Sequence, residues 1–116
     1  MTETRITVTM SEAEVDPQRI EIGRTRTNGT CRVLFDCGEV LRAVGAVDSV
    51  KLWYAPPCSD PCARTLDLDN GVAAWSITTE DTAHRGSGEC QLFFYTAGGG
   101  LWKSSIFRVS VLADIG

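Results

Sequence analysis

Short runs in which polar and apolar residues alternate recur along the whole chain, and turn-forming residues separate most of them. A period of two puts the apolar side chains of a run on one face of a half-buried β-strand. Glycine and asparagine tolerate positive φ angles, and proline cannot donate to a β-ladder, so these residues mark where strands end. The segments that we predict as strands are 5–10, 19–22, 31–35, 49–54, 65–68, 72–77, 89–95 and 101–112.

This many short strands predict an all-β protein, and the specific expectation is an immunoglobulin-like antiparallel β-sandwich of about 7–8 strands. The strongest hairpin signal is Asp69-Asn70-Gly71, which lies between two predicted strands. We expect a turn at 36–39, and segment 40–47 is ambiguous between a strand and a helical turn.

One short helical turn is predicted near residues 79–84. Thr78 and Asp81 have the spacing of a capping box, in which each residue binds the backbone N–H of the other. Gly86 and Gly88 follow the segment and are typical of a helix end.

Alternation also predicts which side chains form the core. The segments around Trp75 and at 92–95 are apolar on both faces, so a loop or another subunit must cover the second face. The sets that share one face of a strand are Cys31, Val33 and Phe35; Val50, Leu52 and Tyr54; and Phe107, Val109 and Val111.

Large aromatic side chains are the candidates for an interaction surface. Such side chains dominate both cores and interfaces, so packing in one or the other is the first interpretation. Stacking on sugars or bases is the alternative. The interaction candidates are Trp53, Trp75, Phe93, Tyr95 and Trp102.

The 116 residues carry a formal net charge of −4, and 43% of them are hydrophobic. This length predicts a single domain, which we place at 5–113 after a flexible start at 1–4.

The acidic balance argues against nucleic acid as a partner, because phosphates require a basic patch. No apolar run has the length of a membrane span and the N-terminus has no signal-peptide pattern, so we expect no membrane partner and no secretion by a signal peptide.

Five cysteines cannot all pair within one chain. The first interpretation is free thiols that serve as small buried apolar groups. Cys58 and Cys62 have a spacing found in zinc sites, but a full site needs two more ligands and the other cysteines form no second close pair. Zinc at Cys58 and Cys62 stays a minor hypothesis, and we expect no cofactor.

No group of residues has the pattern of an active site. His84 is the only histidine, and its polar loop is typical of a solvated side chain. The segment 98–100 is rich in glycine, but it joins two predicted strands and lacks the Lys-Ser/Thr of a phosphate loop. We therefore expect no catalytic residues and no enzyme.

Cys31, Trp53 and Cys90 fall on predicted strands in the order that immunoglobulin domains use for their two cysteines and core tryptophan. Gly88 stands where such domains have a tyrosine, two residues before the second cysteine. The order supports a sandwich, and Gly88 argues against a secreted, disulfide-bonded immunoglobulin.

The C-terminal part of the chain has a pattern found in a known family. The pattern runs through 69–72, Trp75-Ser76-Ile77-Thr78, Asp81-Thr82-Ala83, 86–92 and 103–111. It resembles the immunoglobulin-like N-terminal domain of upper baseplate and related tail proteins of phages and prophages of Gram-positive bacteria, over roughly residues 30–112. Members of that family are structural, attach receptor-binding or fibre modules to the tail tip, and tend to form oligomers.

The resemblance implies a non-enzymatic assembly module that docks to other tail or baseplate proteins and forms a homo-oligomer. Its expected location is the virion tail, or the bacterial cytoplasm during assembly. The chain ends at residue 116, so we expect no receptor-binding module in it. The alternative is a carbohydrate-binding β-sandwich that uses exposed tryptophans.

Overall fold

The computed structural model describes residues 2–9, 15–16 and 19–113, which form ten strands and one helix. The helix is α1 (Gly38–Val44). The strands are β1 (Thr2–Val8), β2 (Val15–Asp16), β3 (Arg19–Arg24), β4 (Cys31–Asp36), β5 (Val47–Ala55), β6 (Cys62–Asp69), β7 (Val72–Ser76), β8 (Gly86–Thr96), β9 (Leu101–Lys103) and β10 (Phe107–Leu112).

The strands follow one another in the order β2-β1-β4-β7-β6-β5-β8-β10-β3, with β9 beside β8. The first part of β6, from Cys62 to Leu66, pairs with β5, whereas Asp67 to Asp69 pair with β7. Strand β6 thus passes from one layer to the other, and the sheet folds over into a sandwich. This confirms the prediction of an all-β sandwich.

Six central strands have the neighbours of an immunoglobulin sandwich, with β4, β7 and β6 in one layer and β5, β8 and β10 in the other. The expectation of a wholly antiparallel sandwich is wrong at two places, because β1 pairs with β4 and β3 with β10 in parallel. Parallel neighbours need a crossover connection between them. Between β1 and β4 the chain crosses to the other layer, forms β3 there, and then returns to form β4. Strand β1 begins at Thr2, inside the stretch 1–4 that the sequence leaves outside the domain.

The segment 101–112, predicted as one strand, is two strands with a bulge between them. Both pair with the same edge of β8, and between the paired residues Lys103 and Phe107 three residues face only two of β8. Ser104 holds this bulge in place. Its N–H donates to the carbonyl of Leu92, and its hydroxyl accepts from the N–H of Leu92, both at 2.9 Å.

Helix α1 is the only helix in the part of the chain that the structure describes. It resolves the ambiguity of segment 40–47 and takes in part of the turn predicted at 36–39. Gly45, with a φ of 85°, ends it, and its N–H donates to the carbonyl of Leu41. The prediction of a helical turn at 79–84 is wrong, since that segment forms turns.

The two capping-box hydrogen bonds in that segment form even without a helix. The N–H of Thr78 donates to Asp81 Oδ2 at 2.9 Å, and the N–H of Asp81 donates to Thr78 Oγ1 at 3.4 Å. The next two carbonyls accept hydrogen bonds from elsewhere in the fold. The Tyr54 hydroxyl binds the carbonyl of Asp81, and the N–H of Arg26 binds that of Thr82, both at 2.8 Å.

The core lies between the layers and contains the sets that alternation predicts, except that Cys31 is only half-buried. Trp75, 2% exposed, packs its ring against Tyr54 with the centroids 5.2 Å apart. The described cysteines are all free thiols. Burial raises the pKa of Cys37 to about 12 and also raises the pKa of Cys90, so both thiols stay protonated near neutral pH.

Candidate interaction surface

One outer face of the sandwich is rich in aromatic and aliphatic side chains. It belongs to the layer of β5, β8 and β9, and its residues alternate with those that point into the core. Register places Lys51, Phe93 and Lys103 in one row across the three strands, and Trp53 beside Gln91 in the next row. We call this surface the aromatic face and define it by Lys51, Trp53, Phe93, Tyr95, Leu101, Lys103 and Ile106.

Two lysines lie over two of the rings on the aromatic face. The Nζ of Lys103 is 5.1 Å from the centroid of Phe93, and the Nζ of Lys51 is 5.5 Å from that of Tyr95. Each cation–π contact at such a site contributes about 0.5–1 kcal/mol. The lysines therefore cover part of both rings, which are half-buried, while their charges stay in water.

Trp53 is the largest side chain that the face leaves uncovered, with 46% of its surface exposed. It lies beside a groove of about 280 Å³ that Glu89, Gln91 and Ile106 also line. Ile106 is 58% exposed and comes from the bulge. An exposed tryptophan next to an exposed isoleucine is the kind of apolar surface that protein partners cover.

The structure separates the five interaction candidates into two groups. Trp53, Phe93 and Tyr95 lie together on the aromatic face. Trp75 lies in the core, and Trp102 packs against Phe94 on the inner side of the sheet, with their centroids 5.3 Å apart.

Sequence reasoning missed four residues of the aromatic face. Leu101 and Lys103 could have been found, because Trp102 points inward and its two neighbours must then point outward. Lys51 is the outward neighbour of two core residues, so its position on the face follows from the same rule. Ile106 carries no such signal, because the bulge shifts the alternation by one residue.

The opposite layer carries a second, different surface. Register places Asp67, Ala74, Leu34 and Arg5 in one row across four strands. A groove of about 470 Å³ runs over this row. We call it the acidic groove. Its lining includes the apolar residues Leu34, Val72 and Ala74, the carboxylates Asp67 and Asp69, and the arginines Arg5 and Arg32. Arg32 also forms an ion pair with Glu3.

A buried carboxylate fixes the turn that follows β7. Asp81 is 1% exposed, and its Oδ1 accepts from Arg64 at 3.0 and 3.1 Å. Its Oδ2 accepts from the indole of Trp75 at 3.3 Å and from Thr78, through the N–H at 2.9 Å and the hydroxyl at 3.0 Å. Every lone-pair direction of this carboxylate is thus occupied, and the arrangement is one that holds a fold together.

The remaining sequence candidates do not meet at a common site. Cys58 is exposed and Cys62 is half-buried on β6, and His84 is exposed. Among the described residues, no three His, Cys, Asp or Glu side chains form a group that could hold a metal ion. No helix in those residues is long and apolar enough to cross a bilayer.

Comparison with known proteins shows a likeness in structure. No protein-family model matches the sequence, and no curated protein matches it. Among solved structures, the N-terminal domain of phage TP901-1 ORF48 superposes with a TM-score of 0.64 at 15% sequence identity. The superposition covers 97% of this chain and 99% of that domain, so the two share a fold over almost their whole length.

Proposed function

We propose that this chain, which has the fold of a phage protein's N-terminal domain, is a non-enzymatic structural module of a phage or prophage tail. In this role it docks to other tail or baseplate proteins. The observation that carries the proposal is the superposition on the domain from phage TP901-1 ORF48, which leaves almost no part of either domain unmatched. Two domains with one architectural role are expected to superpose over almost their whole length.

The sequence pattern that resembles the tail-protein family supports the same proposal, because its residues maintain the fold. Its residues Trp75, Thr78, Asp81 and Thr82 are those of the buried network that fixes the turn after β7. A pattern made of such residues follows the fold rather than a ligand site. It therefore agrees with the structural likeness and leaves the docking surface to be argued from the exposed side chains.

The aromatic face supports docking to a protein. It lies on paired strands of the sandwich, so its side chains are held by the scaffold and not by a loop. Tryptophan, tyrosine and phenylalanine are enriched where proteins contact one another. Docking through this face covers Trp53, Leu101 and Ile106, the large apolar residues that the described chain leaves exposed.

Immunogold labelling tests the proposal. Phage particles are purified from the strain that carries the gene, and an antibody raised against this chain is bound to them. We expect gold at the tail, with none on capsids. Particles that carry no label, with the protein present only in the soluble lysate, would contradict the proposal. Adjacent reading frames that encode tail and baseplate proteins give an independent check.

Carbohydrate binding is the second candidate, and one observation favours it. Trp53 is exposed beside a groove that also holds the carboxylate of Glu89 and the amide of Gln91. Sugars stack on aromatic rings and bind such polar groups by hydrogen bonds. A glycan array with the wild-type protein and with Trp53→Ala decides it: a sugar bound only by the wild type supports this function, and an array without hits removes it.

A further inference from the structure

The two outer faces of the sandwich have opposite excess charge. Rows of the aromatic face carry the cations Lys51, Lys103 and Arg108, with Glu89 as the carboxylate opposite Arg108. The lining of the acidic groove has two aspartates, Asp67 and Asp69, and two arginines, Arg5 and Arg32. The same rows add the carboxylates Glu3, which is paired with Arg32, and Asp36, so the face as a whole has more carboxylates than cations. Surfaces of opposite charge attract each other and exclude their own kind.

The two faces also differ in shape. Trp53 and Ile106 project from the aromatic face, 46% and 58% exposed. The acidic groove is concave, and small or aliphatic side chains are part of its lining, with Ala74 inside a row between Asp67 and Leu34. A projecting aromatic ring and a groove over an alanine are complementary in the way that anchors and pockets of protein interfaces are.

We infer that the aromatic face of one copy docks into the acidic groove of a second copy, with Trp53 over Ala74 and the lysines at Asp67 and Asp69. The inference names the partner of the docking surface and so rests on the proposed function. Spacing supports the pairing. Lys51 and Trp53 are two residues apart on β5, about 6.6 Å, and Asp67 and Ala74 lie on neighbouring strands about 5 Å apart. A lysine side chain readily spans the difference.

The contact is heterologous, because two different surfaces meet. Each copy that uses its aromatic face still has its acidic groove free for a third copy. Such contacts produce a closed ring when the rotation closes, and an open filament when it does not. The oligomer is therefore expected to grow with concentration beyond the dimer.

Two charge-reversed variants test the contact in the full chain. One is Lys51→Glu/Lys103→Glu, which disables the aromatic face, and the other is Asp67→Lys/Asp69→Lys, which disables the acidic groove. Sedimentation velocity over a concentration series is expected to show oligomers for the wild type. Each variant alone is expected to weaken self-association by more than about tenfold, because like charges then face each other.

Mixing the two variants separates a heterologous contact from a symmetric one. In the mixture both contacts join unlike variants, the intact face to the intact groove and the Glu-bearing face to the Lys-bearing groove, so mixed oligomers are expected to return although neither variant associates alone. The four-fold variant with both reversals is expected to regain oligomers. Charge-reversal controls outside both faces are Arg85→Glu and Asp60→Lys, which are expected to behave as the wild type.

Three results would overturn the inference. They are a wild-type protein that stays monomeric at the highest soluble concentration, a mixture of the two variants that stays monomeric, and a variant that alone still forms the wild-type oligomer. Circular dichroism confirms that each variant is folded before it is counted. Self-association and the labelling of phage particles are separate measurements, so a failure here is distinguishable from a failure of the proposed function.

Discussion

The indole N–H of Trp75 donates to Oδ2 of Asp81 at 3.3 Å, inside the core and six residues along the chain. The same carboxylate binds Arg64, which comes from β6, the strand that passes between the layers. Through these contacts the side chain of Asp81 connects the core, the turn after β7 and the strand β6 that passes between the layers. Asp81 is therefore the polar residue whose loss the fold is least able to tolerate.

Asp81→Ala is expected to lower the free energy of unfolding by about 3–5 kcal/mol, because it leaves the partly buried Arg64 and the buried indole of Trp75 without their acceptor. Urea unfolding at neutral pH measures the loss. Glu80→Ala is the matched control, since Glu80 also reaches Arg64, at 3.4 Å, but its side chain is 83% exposed. The control is expected to cost less than about 1 kcal/mol. Equal losses for both variants would disprove the central role of Asp81.

Stability is expected to fall as the pH rises above 9. Burial raises the pKa of Cys37 from 9.0 to about 12, so the unfolded chain releases this proton before the folded chain does. The stabilisation is complete below pH 9 and is lost between pH 9 and about 12. The slope is at most about 1.4 kcal/mol per pH unit for each such thiol.

Cys37→Ala is expected to flatten this dependence, whereas Cys58→Ala, which removes an exposed thiol, is expected to leave it unchanged. Unfolding in urea from about pH 8 to pH 11 shows the difference. A wild-type curve with no slope in this range would count against a protonated, buried Cys37.

Gly88→Ala is expected to destabilise the fold by about 1–3 kcal/mol. A Cβ at Gly88 would lie 2.8 Å from the carbonyl oxygen of Ala55 and 2.9 Å from a ring carbon of Tyr54. Gly98→Ala is the control, because a Cβ there has no atom within 4 Å. Thermal unfolding of both variants checks the prediction, and it fails if Gly88→Ala is as stable as Gly98→Ala.

Trp53→Ala and Trp75→Ala compare the stability cost of removing a surface tryptophan with that of removing a core tryptophan. Trp75 is 2% exposed, so its truncation is expected to cost about 3–5 kcal/mol and to leave little folded protein. Trp53→Ala is expected to cost less than about 1 kcal/mol, because Trp53 is 46% exposed. Chemical unfolding compares them. A large loss at Trp53 would mean that the aromatic face maintains the fold and is not free to dock.

Much of the sandwich follows from local pattern. Alternation identified the inward residues of β5 and β10, and the Asp69-Asn70-Gly71 hairpin forms with φ of 51° at Asn70 and 79° at Gly71. Both signals depend only on neighbours in the chain, which is why the sequence suffices for them.

The misjudged elements depend on contacts across the fold. The parallel pairing of β1 with β4 requires knowledge of where β3 goes. The spacing of Thr78 and Asp81 predicts their capping hydrogen bonds, whereas the hydrogen bond from the Tyr54 hydroxyl to the carbonyl of Asp81 comes from 27 residues away. Residue type alone groups Trp53 with Trp75, and only burial distinguishes the surface residue from the core residue.

The most direct test of the account is whether the protein is part of tailed phage particles through its aromatic face. The gene is deleted from the phage and supplied in trans as wild type, as Trp53→Ala, or as the control Arg85→Ala, and density-purified particles are assayed for the protein by mass spectrometry. We expect the wild type and Arg85→Ala in the particles, and we expect Trp53→Ala to be depleted from the particles although it is folded in the lysate. Absence of the wild-type protein from particles, or equal incorporation of all three proteins, would contradict it.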